Sequence, residues 1–154
     1  MNGLVIAVNV SSGGLPKTSV PEAKVTVDGL VGDGHHDTKH HGGSDQAVCL
    51  YSVELYHDLI TERILVKPGD FGENLTTSGI DYRALHVGDR MRVGEGCLLE
   101  ITKVRVPCYK LTKFDERLPK AILGRSGWMA RVRTEGVVRA GDSIDVLPAA
   151  VAEE

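Results

Sequence analysis

VGDRMRVGEGCLLEITKVRVPC, residues 87–108, reads as two short strands joined by a tight turn, the second running out onto a cysteine. Met91 and Val93 alternate with Arg90 and Arg92, the period of a strand with one buried face. Gly94-Glu95-Gly96 then supplies a three-residue hairpin loop, and Leu99 and Ile101 resume the apolar pattern. Pro107 removes a backbone donor and ends regular pairing one residue before Cys108. A similar phrase recurs later: Ala140-Gly141-Asp142 leads into Ser143 to Leu147, with Ile144 and Val146 on one face. Two Gly-Asp turns that each feed a period-two strand read as rim turns of a closed sheet.

Working outward, Gly3 to Val10 is an apolar, β-branched strand broken by Ser11-Ser12-Gly13-Gly14, and Ala23 to Val27 is a second strand ended by Asp28-Gly29. Gln46 to Tyr51 reads as a buried strand. Ser52 is placed to cap a helix that runs to about Arg63 with Leu55, Leu59 and Ile60 on one face. Lys67 to Asp70 is a turn, Phe71 to Thr77 a strand, Ile80 to Leu85 a single helical turn, Leu118 to Leu123 a short helix stopped by Gly124, and Trp128 to Val132 a further strand. The tail from Ala149 to Glu154 reads as frayed. About eight short strands with one or two helices predict a mainly β (α+β) fold, a closed β-barrel rather than a βαβ arrangement.

With 154 residues the chain suits one domain, 1–154, with its core at about 3–147, large enough to fold without disulfides or a structural metal. A net charge of -3 offers no general attraction to nucleic acid, so any phosphate binding has to come from a local site. The 18 glycines are scattered as turn punctuation. Cys49, Cys97 and Cys108 are an odd set without CxxC spacing, which argues against a disulfide framework and against a four-cysteine zinc site and fits a reducing cytoplasm. The apolar run Leu4 to Val8 is too short for a signal-peptide core and no stretch reaches bilayer-spanning length, so a cytoplasmic protein without membrane contact is expected.

Two stretches carry candidate chemistry. Lys103, Arg105, Lys110 and Lys113 bring four cations within five residues of Cys108, and nearby cations favour the thiolate that attacks electrophiles and binds metals. The competing reading makes Cys108 a small buried filler. In GHHDTKHHGGS, residues 34–44, His35, His36, His40 and His41 with Asp33 and Asp37 offer ligands for a divalent ion, though in no recognised spacing. Alternatively, His41-Gly42-Gly43 brings backbone N–H groups to an anion, or the stretch is a solvated polar loop. Glu73-Asn74, taken alone, reads first as local turn chemistry. No GxGxxG follows the first strand, and neither a P-loop nor a nucleophile elbow is present.

In order along the chain, Gly32-Asp33 with His41-Gly42-Gly43 and Gln46-Ala47-Val48, then Gly72-Glu73-Asn74-Leu75-Thr76, Gly88-Asp89, Pro107-Cys108, and Gly136 with Gly141-Asp142 resemble the MOSC domain family, named for the C-terminal domain of molybdenum-cofactor sulfurases. The resemblance is to its small bacterial stand-alone members. It implies a MOSC-type closed β-barrel around a cleft for the molybdenum cofactor (molybdopterin). Cys108 would then be the catalytic residue and molybdenum ligand, with Lys17, His41, Gly42, Gly43, Asn74 and Arg105 lining the cofactor pocket. The segment His35 to His40 is longer than that family's pattern leads one to expect. The implied activity is reduction of N-hydroxylated small molecules such as hydroxylaminopurines or amidoximes. The chain lacks a flavin, haem or iron–sulfur motif, so redox partner proteins would have to supply the electrons. The alternative is a non-catalytic carrier holding sulfur or the cofactor on Cys108. A third reading, a zinc hydrolase built on the histidines, would depend on His40 and His41 and tolerate loss of Cys108.

Overall fold

The computed structural model describes residues 1–34, 44–107 and 109–149. In chain order its elements are β1 (Asn2–Val10), β2 (Thr18–Val20), β3 (Glu22–Thr26), β4 (Gly29–Leu30), β5 (Val48–Ser52), α1 (Val53–Thr61), β6 (Leu75–Ser78), β7 (Arg90–Val93), β8 (Cys97–Val104), α2 (Leu118–Ala121), β9 (Trp128–Thr134), β10 (Gly136–Arg139) and β11 (Ser143–Leu147). Short 3₁₀ turns at Ser44–Gln46, Tyr82–Ala84 and Tyr109–Lys113 link them.

Seven strands close on themselves in the order β11-β7-β8-β9-β5-β6-β1, with β11 paired back to β1 and β2 added to the far end of β1. Closure leaves the ring without unpaired edges. The pairings are antiparallel except β5 with β6, where Leu50 lies opposite Leu75. The two Gly-Asp phrases of the sequence do meet: β7 and β11 are antiparallel neighbours, Met91 opposite Val146 and Val93 opposite Ile144. Val93 also faces Cys97 across the expected hairpin. Strand alternation sends Met91, Val93, Leu99, Ile101 and Ile144 into the barrel with Val5, Val8, Leu50 and Leu75, all essentially sealed from water. Each contributes about 1.5–3 kcal/mol of burial free energy.

Every residue of β5 is buried, because a second apolar layer covers its outer face. Tyr51 joins Tyr56 and Leu59 from α1, Phe71 from the following loop, and Leu111, Leu118 and Ile122 from the segment after β8. Helix α1 begins where expected, its Ser52 cap accepting from Leu55 N at 3.2 Å. It buries Tyr56 with Leu59, while Ile60, expected on the same face, is turned 100° from Leu59 and stays 43% exposed. The helix closes in a Schellman motif: Ile64 N bonds Leu59 O and Arg63 N bonds Ile60 O, with Arg63 in the left-handed region at φ 66°.

Two readings of the sequence shift. The expected strand Phe71 to Thr77 starts only at Leu75, since residues before it are held in a turn by side-chain bonds described below. The strand expected over Trp128 to Val132 runs on to Thr134, and after Glu135 a further strand, β10, pairs with β3 in a small separate sheet with β4.

Candidate functional site

The site is built on the outer wall of the barrel. On β5, Val48 and Leu50 point into the barrel, so Cys49 and Tyr51 point out of it; on β1, Val8 points in and Asn9 out. Over this wall lies the Lys67–Asn74 loop. Its tightness comes from Glu73, a fully buried carboxylate that accepts from Gly69 N at 3.0 Å, Thr76 Oγ1 at 2.6 Å and Tyr56 Oη at 2.8 Å. Burial pushes the Glu73 carboxyl above its usual range, and these three donors pull it back down. Asp70 closes the same turn by accepting from Lys67 N.

Asn74, next along, makes tertiary rather than local turn bonds. Its Oδ1 accepts from Cys49 N at 3.0 Å, and its Nδ2 donates to Asn9 O at 3.3 Å and to Asp33 Oδ2 at 2.9 Å. Both amide hydrogens are therefore spent on the protein, and Asn74 ties β1, β5 and the Asp33 turn together. Asp33 in turn receives Ser11 N at 3.0 Å and both its oxygens take Lys17 Nζ, at 2.7 and 2.6 Å. The Lys17 and Asp33 side chains are only 12% and 0% exposed, so this is a buried, matched ion pair. Asn9 completes the floor, donating to Glu73 O and Thr76 Oγ1 and accepting from Ser19 Oγ.

Arg105 reaches into this cluster from the end of β8. Its main chain is fixed by Gly127 O, which accepts Arg105 N at 3.0 Å, and by the Ser126 hydroxyl, which donates to Arg105 O. Its tip lies beside Gly72 (φ 79°), where a Cβ would lie 2.6 Å from Leu15 Cδ2 and in ordinary van der Waals contact with Lys17 Cε and Arg105 Nη2, so a side chain there would strain the backbone and press on Leu15. Arg105 Nη1 is buried and has no hydrogen-bond partner among the described residues. The Cys49 thiol lies in the same field; burial raises its pKa, Arg105 and Lys17 lower it, and Glu73 and Asp33 raise it. Beside the site a groove of 810 Å³ shares Ser126 and Gly127 and is lined also by Asp58, Tyr82, Val104 and Trp128.

Of the residues singled out in the sequence, Lys17, Asn74 and Arg105 converge. Cys108, His41, Gly42 and Gly43, together with His35, His36 and His40, lie outside the described residues. Among the described residues no three His, Cys, Asp or Glu side chains are grouped to hold a metal ion. Asn9, Cys49 and Tyr51 were not singled out. The only signal for them was strand alternation, which puts Asn9 and Cys49 opposite their apolar neighbours but says nothing of what they face. No helix among the described residues is long and apolar enough to cross a membrane.

A buried guanidinium nitrogen without a partner among the described residues is chemically suited to an anionic oxygen. The family model described as MOSC domain matches residues 37–145. The chain is 35% identical over 135 residues to protein YiiM of Escherichia coli, covering 82% of this chain and 59% of that one. A Gibberella moniliformis protein named "Reductase" is 35% identical over 127 residues, covering 77% of this chain and 22% of its own length. The chain thus spans under two thirds of these relatives. The crystal structure of Escherichia coli YiiM superposes with a TM-score of 0.75 at 30% identity, covering 96% of this chain and 70% of that one.

Proposed function

The chain belongs to the MOSC domain family, and from that membership we propose that it binds the molybdenum cofactor and reduces N-hydroxylated small molecules, hydroxylaminopurines or amidoximes, with Cys108 as the metal ligand. The observation that carries the reading is Arg105, three residues before Cys108 in the chain, whose guanidinium lies beside Gly72 with one buried nitrogen that has no hydrogen-bond partner among the described residues. A relative named for reductase activity supports the reaction class.

Arg105 would hold the cofactor's phosphate, its charge and fork geometry suited to an anionic oxygen. Lys17 already has a carboxylate partner in Asp33 and contributes by fixing the wall beside Arg105. Asn74 and Glu73 act one step back, locking the loop that carries Gly72. Cys108 supplies a thiolate, a soft donor suited to molybdenum. When bound, the cofactor supplies a two-electron couple. The overall change breaks the N–O bond of an N-hydroxyl group, taking up two electrons and two protons and releasing water, with the electrons delivered by redox partner proteins. The 810 Å³ groove, with Trp128 braced by its Nε1 bond to Tyr82 O, is large enough for a purine-sized planar substrate.

Protein produced in a cofactor-competent host is expected to carry stoichiometric molybdenum and to reduce an N-hydroxylaminopurine with a chemical electron donor, and Cys108→Ala to lose both. A molybdenum-free preparation with cyanide-labile sulfur and no reduction overturns the proposal in favour of a sulfur or cofactor carrier acting through Cys108.

A further inference from the structure

Charge is unevenly divided along the chain. Residues 103–125 hold seven Lys and Arg against two Asp and Glu, while all the other residues together hold eleven against nineteen. A strongly positive segment in a chain of net charge -3 attracts an acidic surface to itself and repels it elsewhere. The segment begins at the end of β8, passes Arg105 and the 3₁₀ turn Tyr109–Lys113, and ends just beyond α2.

The fold gathers this segment around Arg105. Lys113 Nζ donates to Leu15 O at 2.6 Å, and Leu15 Cδ2 lies against Gly72, beside the Arg105 tip. On the other side, Leu123 lines the 810 Å³ groove with Val104, the residue before Arg105, and Leu123 N bonds Lys120 O at 3.2 Å. Arg117 is paired with Asp115 and Arg125 with Glu62, but Lys103, Lys113 and Lys120 are exposed and hold no ion pair among the described residues. In the chain between Lys103 and Lys113, Val106 and Tyr109 are 80% and 75% exposed. Large apolar side chains left in water within a rim of lysines have the make-up of a transient protein interface, in which charge steers the encounter. Exposed lysines hold a lone small anion weakly, since water and salt screen each of them. A surface of carboxylates engages them together.

We propose that this face docks the acidic surface of an electron-transfer protein, its carboxylates meeting Lys103, Lys113 and Lys120 around Val106 and Tyr109. The inference rests on the reductase reading above, which needs a protein electron donor, and adds where that donor binds and what charge it carries. Each N–O bond cleaved takes two electrons from the reduced carrier and two protons from solvent, and the carrier leaves oxidised.

The probe is an oxidised plant-type ferredoxin, an acidic iron–sulfur carrier, titrated calorimetrically into the protein. Binding is expected at low ionic strength and is expected to weaken at least tenfold in about 1 M salt, where the screening length is about 3 Å. Lys103→Glu combined with Lys120→Glu binds about tenfold more weakly and Glu116→Lys more tightly, whereas Lys24→Glu, on β3 outside the segment, stays within about twofold of the wild type. In turnover, Lys120→Glu raises the KM for reduced ferredoxin and leaves kcat with reduced methyl viologen unchanged. Absence of ferredoxin binding, salt-independent binding, or equal weakening by Lys24→Glu overturns the proposal. Tighter binding of a single-stranded RNA oligonucleotide than of ferredoxin at the same salt assigns the face to nucleic acid and overturns it as well. Ferredoxin binding is read without molybdenum or turnover. Viologen-driven reduction without ferredoxin binding therefore removes the docking face alone, and ferredoxin binding without any reduction removes the reductase reading alone.

Discussion

Asp33 shows how much one side chain can organise here. It receives Lys17, Asn74 and Ser11, joining three segments at one carboxylate. Asp33→Ala would leave a largely buried ammonium without its counter-charge and is expected to cost about 3–5 kcal/mol, measured by urea denaturation. The cysteines give a second prediction at this scale. Cys97 is sealed in the barrel, and burial pushes its thiol up to about 12. At pH 8 roughly one molecule in ten thousand would carry that thiolate, so iodoacetamide should leave Cys97 unmodified in the native protein, with labelling rising about tenfold per pH unit. The sign for stability follows: a folded pKa above the unfolded one gives stability that is fully present below the ordinary thiol range and lost as pH rises toward about 12. Rapid labelling of Cys97 at pH 8 would contradict this burial.

At the scale of elements, α1 carries its instructions in its own sequence. Ser52 caps the start and the end closes by a Schellman motif, yet the left-handed position falls to Arg63 rather than to glycine. Arg117, from the lead into α2, compensates by donating to Glu62 O and Arg63 O while its guanidinium pairs with Asp115. Arg63→Gly is expected to raise stability by about 0.5–1 kcal/mol in thermal unfolding, since glycine occupies that region without a Cβ penalty. A loss instead would mean that the Arg63 side chain makes a stabilising contact of its own. The Lys67–Asn74 loop behaves in the opposite way. Its sequence suggested a turn and then a strand from Phe71, but Glu73 reaches Tyr56 on α1 and Thr76 on β6, and those contacts delay the strand to Leu75.

For the whole molecule, closure is the decisive event. Gly3 pairs with Ile144, so the first and last barrel strands must meet before the core is sealed. Ile144 is fully buried on the closing strand, and Ile144→Ala is expected to cost about 2–5 kcal/mol by the cavity and lost burial, read as a lower urea midpoint with unchanged slope. A change in slope would indicate instead that the barrel opens as a separate unit.

Alternation and turn chemistry in the sequence already determined the barrel strands around residues 87–104 and 143–147, the Ser52-capped helix, and the ordered motifs that place the chain in the MOSC family. Those signals are local: a period of two, a cap, a Gly-Asp turn, each complete within a few residues. What faces what was decided only in three dimensions. Asn74 finds partners 25 and 65 residues away, Arg105 reaches Gly72 across the wall, and one buried nitrogen of Arg105 is left without a partner among the described residues. A side chain's hydrogen-bonding capacity is written in the residue, but whether it is spent depends on which distant segments the closed barrel brings beside it.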